Sequence, residues 1–320
     1  MGTMGTGRVR AVVVDPGDTG TLVIREVAGP TPGPHEARVR VAAFSLNRGE
    51  VRRSLGGAPA GYRPGWDLAG TVEQAAANGS GPKEGTRVVG LLAGGAWAEA
   101  VAVPTDQLAP LPDGVSFAQA AALPVAGLTA LHAVRQGGSL LDLPVLVTGA
   151  SGGVGYFAAQ LARQSGARVV AVVRQEKHAD VVREVGITQV IVSADAAEAA
   201  AHGPYHLVVD GTGGPVIAHA LTMLRPDGTY VLYGTSAGAD VSLPLGQFYG
   251  TGGATLYGFS MFHELRRDPA SNGLALLAGA VSAGSLTVRL DVEAPWTDVA
   301  KTAQHLLDRA YAGKAVLHIQ

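Results

Sequence analysis

From Arg8 to Pro104 the chain reads in short segments that alternate apolar with polar positions or run as β-branched clusters. "RVRAVVVD" (Arg8 to Asp15), "TLVIREVA" (Thr21 to Ala28) and "EARVRVAAFSL" (Glu36 to Leu46) are expected strands, separated by Pro and Gly clusters such as "GPTPGPH". "WDLAGTVEQA", "RVVGLLA" and "AWAEAVAVP" continue this pattern. From "SFAQAAALPVAGLTALHAV" (Ser116 to Val134) the apolar period becomes helical.

Strand and helix then alternate. Strands are expected at Val145–Val147, Val169–Val173, Val190–Val192, Leu207–Val209, Tyr230–Tyr233 and Thr255–Tyr257, with helices between most of them. Such alternation implies βαβ units, hence an α/β fold with a doubly wound parallel sheet and helices on both faces. Two more helix-like stretches follow Phe262, and "GKAVLHIQ" at the end reads as a strand.

Composition narrows the function. With 47% hydrophobic and 16% charged residues over 320 positions, the chain has ample core for two domains. A net charge of −2 lacks the basic surplus of a nucleic-acid binder. The absence of cysteine removes disulfides, thiolate nucleophiles and thiolate zinc sites together. "MGTMGTGRVR" has no apolar signal-peptide core, and its repeated Met-Gly-Thr reads as a cloning remnant. No apolar run is long enough for a membrane span, so the expected location is the cytoplasm.

The richest candidate chemistry lies in "VLVTGASGGVGYFAAQLA" (Val145 to Ala162). Ala150-Ser151-Gly152-Gly153-Val154-Gly155 matches a dinucleotide fingerprint with Ala for the first Gly, between an expected strand and an expected helix. Pyrophosphate binding needs a tight turn, close backbone approach and a helix N-terminus. Gly149 to Gly153 also spells G-x-S-x-G, the hydrolase nucleophile elbow. Asp210 and a later histidine such as His263 would complete a triad, although no His-Gly-Gly oxyanion segment precedes it. Thr148 to Gly155 further fits the short-chain dehydrogenase pattern, but no tyrosine has the lysine four residues on that this pattern needs; Tyr311 and Lys314 are one residue too close. A glycine turn serving packing alone is the remaining reading.

The next strand ends at Val173 and is followed by Arg174 and Lys177, with no acid at its terminus. Two cations there suit a 2′-phosphate and favour NADP(H) over NAD, against the alternative of solvated surface residues. "VVDGTGG" (Val208 to Gly214) and "VLYGTSAG" (Val231 to Gly238) bring glycines to two further strand ends. Three glycine-bearing strand ends are expected to line one crevice.

Taken together, "SLNRGEV" (Ser45 to Val51), "RPGWDLAGTV" (Arg63 to Val72), "ALPVAGLTAL" (Ala122 to Leu131), the glycine loop and "GKAVLHI" resemble the medium-chain dehydrogenase/reductase superfamily, in its zinc-free quinone oxidoreductase and enoyl reductase branch. The resemblance implies a chaperonin-10-like β-rich catalytic domain at 1–120 and 263–320 and a Rossmann dinucleotide domain at 121–262. Zinc-dependent members carry Gly-His-Glu where this chain has Gly65-Trp66-Asp67, and they carry cysteines that it lacks. The nine histidines are scattered; His202 and His206 are spaced as a helical pair, but Gly203-Pro204 between them breaks a helix. No metal is expected.

The resemblance also implies roles. Asn47 would lie near nicotinamide and substrate and orient a carbonyl, where an Asx turn after a strand is the bland reading. Tyr62 is the second catalytic candidate, as a hydrogen-bond or proton donor, or else an exposed loop tyrosine; Trp66 and Asp67 share its segment. Arg48 and Glu50 are atypical and read as a surface pair. Thr129 would sit near the nicotinamide ribose, or be a small helix residue in the core. The cofactor set is Thr129, Ser151, Gly152, Gly153, Val154, Gly155, Arg174, Lys177, Gly211, Gly234 and Thr235. Relatives often deliver the substrate proton through a ribose hydroxyl or water. The expected activity is NADPH-dependent, zinc-independent reduction of an enone, enoyl group or quinone. A serine hydrolase, or a non-catalytic crystallin-like NADPH binder, is the rival. Small-molecule substrate, no nucleic acid and no membrane complete the partners, with a homodimer through "TLYGFSM" (Thr255 to Met261).

Overall fold

A computed structural model describes residues 7–15, 17, 21–243 and 245–320. The repeated Met-Gly-Thr lies outside these residues. The chain divides into two compact units, Met1–Leu128 with Leu265–Gln320, and Thr129–Glu264.

In the first unit, β1 (Arg8–Asp15) and β2 (Thr21–Ala28) form an antiparallel ribbon. β3 (Glu36–Ser45), β4 (Asp67–Gln74), β5 (Arg87–Leu91), β6 (Ala100–Pro104) and β7 (Leu108–Pro110) belong to a seven-stranded sheet. β3 shows why it forms: Ala37, Val39, Val41 and Ala43 are buried, while Arg38 and Arg40 point the other way and pair with Glu73 at 3.1 and 3.4 Å. Between β3 and β4 runs α1 (Arg48–Leu55), and α2 (Phe117–Ala121) and α3 (Pro124–Arg135) follow β7.

The second unit alternates. β8 (Pro144–Thr148), α4 (Gly153–Gln164), β9 (Arg168–Val173), α5 (Ala179–Glu184), β10 (Gln189–Val192), β11 (Tyr205–Asp210), α6 (Pro215–Ala220), β12 (Leu224–Leu232), α7 (Leu245–Gly250), β13 (Thr255–Gly258) and α8 (Met261–Glu264) follow one another. The sheet order is β10-β9-β8-β11-β12-β13 and every pairing is parallel. In order of occurrence this is 3-2-1-4-5-6, the doubly wound arrangement. The central strands are buried on both faces, as Val145, Leu146, Val147 and Leu207, Val208, Val209 show. β12 stops at Leu232, so Tyr233 is the first residue beyond it.

The chain then returns to the first unit through α9 (Ala270–Ser282), β14 (Leu290–Pro295), α10 (Val299–Leu307) and β15 (Lys314–His318). β15 lies between β14 and β3, antiparallel to β3 and parallel to β14. The pattern of the sequence predicted neither α1 nor β14. Among the described residues no helix is long and apolar enough to cross a membrane.

Candidate functional site

Two clusters of polar side chains stand out, one in each unit. In the first unit the cluster gathers where β3 ends, α1 and β4 begin and β15 begins. Asn47 is the N-cap of α1, with extended backbone (φ −121°, ψ 141°). Its N–H donates to Glu50 Oε1 at 2.8 Å, and its Nδ2 donates to the same oxygen at 3.0 Å. Nδ2 also donates to Asp67 Oδ2 at 2.7 Å, and Asn47 Oδ1 accepts from Lys314 Nζ at 2.6 Å. Both amide hydrogens and the amide oxygen of Asn47 are therefore engaged. It is a helix cap inside a buried network, beyond the Asx turn that its type suggested.

Asp67 accepts from Ser45 Oγ, from Asn47, from Lys314 Nζ at 3.3 Å, and at Oδ1 from the Val125 N–H at 2.9 Å. Lys314 spends a further bond on the Leu46 carbonyl at 3.1 Å. Glu50, Asp67 and Lys314 are 1%, 0% and 4% exposed. Burial beside Asp67 pushes the Glu50 carboxyl well above its ordinary range, against the opposing pull of Lys314 and Asn47. Glu50 Oε2 is buried and meets no hydrogen-bond partner among the described residues. The expected surface pair of Arg48 and Glu50 is thus corrected. Arg48 donates to the carbonyls of Leu306 and Leu307 at 2.7 and 3.4 Å, and Glu50 turns inward because it closes the helix N-terminus onto Asn47.

Tyr62 is half-buried rather than an exposed loop tyrosine. Its ring packs into the cluster of Leu46, Val51 and Trp97, with the Arg53 guanidinium 5.1 Å over its face. Trp66 lies over α1, where a Cβ on Gly49 would stand 3.2 Å from its ring.

In the second unit the Asp210 carboxylate, at the end of β11, accepts four bonds. Thr148 Oγ1 and the Thr212 N–H (2.7 Å) reach Oδ1; the Gly213 N–H (3.0 Å) and Tyr230 OH (2.7 Å) reach Oδ2. One buried acceptor thereby ties together the ends of β8, β11 and β12. Burial and the Asp210 charge hold the Tyr230 and Tyr233 phenols above the usual range. These donors leave Asp210 no histidine, so the triad of Ser151, Asp210 and His263 does not assemble; His263 lies on α8.

Ser151 is buried in the turn after β8, and Gly152 is the N-cap of α4 with no side chain capping it. The first-turn N–H groups of Gly153, Val154 and Gly155 are thereby presented at a helix N-terminus, beyond the carboxyl end of a central strand. This arrangement fits a dinucleotide pyrophosphate. Gly155 serves a different purpose than leaving room for phosphate. A Cβ there would stand 2.4 Å from the Gly149 carbonyl oxygen, so the helix and its own turn could not close.

The loops after β11 and β12 zip together. Tyr233, Ser236 and Ala237 N–H groups donate to Asp210, Gly211 and Thr212 carbonyls at 2.9, 3.2 and 2.7 Å. A Cβ on Gly211 would meet the Tyr233 ring at 2.3 Å, and one on Gly234 would stand 3.0 Å from the Gly211 oxygen. Gly211 and Gly234 thus let the two loops pack closely, with Thr235 against Gly213. Arg174 and Lys177 are both exposed just past β9, and Thr129 is buried on α3. A cleft of about 460 Å³ lies at the opposite ends of the strands, against Pro144, Arg168 and Gln189, away from the glycine turns.

The donor set does not fit a zinc ion. The chain has no cysteine, Asp67 is committed to four protein donors, and no three His, Asp or Glu side chains converge among the described residues. His202 contacts Gln189, and His206 meets the Gly137 carbonyl at 2.7 Å.

Comparison with known proteins identifies the family. The alcohol dehydrogenase GroES-like domain matches residues 33–113, and the zinc-binding dehydrogenase family matches residues 153–278. The spectinabilin polyketide synthase system protein NorB of Streptomyces orinoci is 35% identical over 231 residues, 70% of this chain but 10% of that protein. The chain spans about a tenth or less of the first curated relatives it matches. A quinone oxidoreductase of Pseudomonas aeruginosa is 28% identical over 92% of this chain and 95% of its own length. Among solved structures, a mycobacterial quinone oxidoreductase superposes with a TM-score of 0.86 at 26% identity, covering 98% of this chain and 100% of that one. The NADPH complex of a mycobacterial protein gives 0.85 at 27% identity, covering 97% and 99%. The fold, the sheet order and these matches agree: the chain belongs to the medium-chain dehydrogenase/reductase superfamily.

Proposed function

We propose that the protein is an NADPH-dependent, zinc-independent reductase of an activated carbon–carbon double bond or a quinone. The observation that carries this reading is the uncapped N-terminus of α4 at Gly152, placed after the central strand β8. The mycobacterial relative solved with NADPH, and the quinone oxidoreductases of similar fold, support it.

In this reading the unit Thr129–Glu264 holds the dinucleotide and the other unit holds the substrate. Ser151, Gly152, Gly153, Val154 and Gly155 form the pyrophosphate turn, Gly211, Gly234 and Thr235 border it, and Thr129 neighbours the nicotinamide ribose. Arg174 and Lys177 pair with the 2′-phosphate. Bound NADPH supplies the hydride. Tyr62 orients the substrate from the first unit, and Asn47, whose two amide hydrogens are spent on Glu50 and Asp67, acts as a positioning residue at the start of α1.

The donor set makes a Lewis acid unsuited to this site, which directs the chemistry to substrates that spread charge through conjugation. NADPH oxidation assayed with a panel of enones and quinones, with and without chelator, tests the reading. Turnover indifferent to chelator is expected. Activity confined to saturated alcohols and abolished by chelator would refute it.

A second copy of the chain is the proposed partner. β13 is one of the two edges of its sheet, and Leu256 on it, with Leu245 and Tyr249 on α7, is exposed. A monomer mass by light scattering at micromolar concentration would count against a dimer.

A further inference from the structure

The first unit also holds a cavity of about 330 Å³ that none of Asn47, Glu50, Tyr62, Asp67 and Lys314 lines. Pro30, Leu92, Val101 and Ala102 give it apolar walls, and Arg63 is its one charged lining residue. Gly94 and Gly95 complete the wall. The main chain fixes this wall. After β5, the Leu92 N–H donates to the Trp66 carbonyl at 2.8 Å, the Gly95 N–H to the Arg63 carbonyl at 3.0 Å and the Ala96 N–H to the Gly65 carbonyl at 3.0 Å. Gly65 permits the approach, since it has a φ of +114° and a Cβ there would stand 2.4 Å from the Trp97 nitrogen. Pro30 is held in turn by Arg38, which donates to its carbonyl at 3.4 Å.

Arg63 has no protein partner for its charge. Its Nε is buried and meets no hydrogen-bond partner among the described residues. Burial alone pulls the guanidinium below its usual range, with no neighbouring charge acting on it. Glu73, the carboxylate beside the Pro30 wall, is taken by Arg38 and Arg40 at 3.1 and 3.4 Å. An arginine in a protein keeps its proton, so Arg63 brings a full charge and an open donor to the cavity wall. A half-buried cation left without an acceptor is costly, and such a group is met by water or by a ligand.

We propose that this cavity is a binding site for a small monocarboxylate with a compact apolar body, whose carboxylate is held by Arg63. A guanidinium has donors only, and Nε–H with one terminal N–H matches the two oxygens of a carboxylate in parallel. The four apolar side chains would take the body of the ligand, which inorganic phosphate does not have. The volume lies at the small end of ligand pockets and suits one ring or a short branched chain. Access is open at the glycine turn, where a Cβ on Gly95 would meet nothing within 4 Å. The site stands whether or not the reductase reading does, because neither the glycine turn after β8 nor the Asn47 cluster contributes to it.

The probe is benzoate, with benzamide and inorganic phosphate beside it, added to the full chain. Nitrogen-15 NMR reads the Arg63 Nε–H signal, identified by its loss in Arg63→Lys. Benzoate at millimolar concentration should shift that signal saturably and raise the melting temperature of the wild type. Benzamide, which has the same body without the charge, and phosphate, which has charge without the body, should do neither. Arg63→Met should weaken benzoate binding about tenfold or more, read by calorimetry. Should Arg63→Met fail to fold, Arg63→Lys, which keeps the charge but loses Nε–H and the planar fork, decides by the same loss. An Arg63 signal unmoved by benzoate overturns the proposal, as does unchanged benzoate affinity in the variant. An equal response to phosphate overturns the apolar-bodied ligand, and an equal response to benzamide overturns the role of the charge.

Discussion

Lys314 Nζ donates to Asn47 Oδ1 at 2.6 Å, across 267 positions of the chain. The same ammonium reaches Asp67, so it is at once the counter-ion of a buried carboxylate and the clamp on the amide that caps α1. Replacing it by an apolar residue of similar length leaves Asp67 charged and dry. Lys314→Met should therefore lose about 3–5 kcal/mol of stability, measured by urea denaturation. Asp67→Asn combined with Lys314→Met should lose less than the sum of the single changes. Additive losses would show that the two groups do not act as a pair.

Glu50 predicts how stability follows pH. Its carboxyl is raised from an ordinary 4.5, so the folded chain binds a proton that the unfolded chain has already released. Its contribution is fully present below pH 4.5 and is lost as pH rises toward and through the raised folded value. Glu50→Gln, which stays neutral, should flatten that part of the curve. Denaturation midpoints followed from pH 4.5 upward check this, and parallel curves for both proteins would contradict it.

These two predictions concern residues whose roles were only partly legible in the sequence. The strands of the second unit were plain, because β-branched runs such as Val169 to Val173 ended at Gly, Arg or Asp and alternated with helical periods. The α1 segment, "RGEVRRSL", is polar, short and contains Gly49, so propensity concealed it. Its one signal was Asn47 followed three residues on by Glu50, a capping pair. β14, "LDVEAP", has too few apolar residues to stand out and forms because β15 pairs with it. Glu50 read as half of a surface pair, and Lys314 only as a lysine one residue too close to Tyr311, because nothing within a short window reveals that Asp67 will face them.

Glycine substitutions separate the roles of the turn after β8. Gly155→Val should lower the melting temperature as well as abolish NADPH binding, since its side chain would strike the Gly149 carbonyl. Gly152→Val should abolish binding, because Gly152 is the uncapped N-cap. Ser151→Ala should keep most activity. Loss of all activity in Ser151→Ala with NADPH binding intact would point to a serine nucleophile instead.

Cofactor preference should follow Arg174 and Lys177. Two charge-assisted bonds of about 1.5–3 kcal/mol each would give NADPH an advantage on the order of a hundredfold or more over NADH. Arg174→Ala and Lys177→Ala should each weaken NADPH while sparing NADH, read as dissociation constants by nicotinamide fluorescence. Equal wild-type constants for the two nucleotides would sink this assignment.

The position of β15 between β14 and β3 also orders events on the ribosome. The unit Thr129–Glu264 is one unbroken stretch, and all six of its parallel strands have been translated before Leu265 is added. The other unit cannot close its sheet at that time, since β3 lacks the neighbour that arrives only with Lys314. Until that residue leaves the exit tunnel, Asp67 and Glu50 have no counter-ion and belong in water. The nascent chain therefore carries a six-stranded parallel fold with all its strands beside a β sheet still waiting for β15.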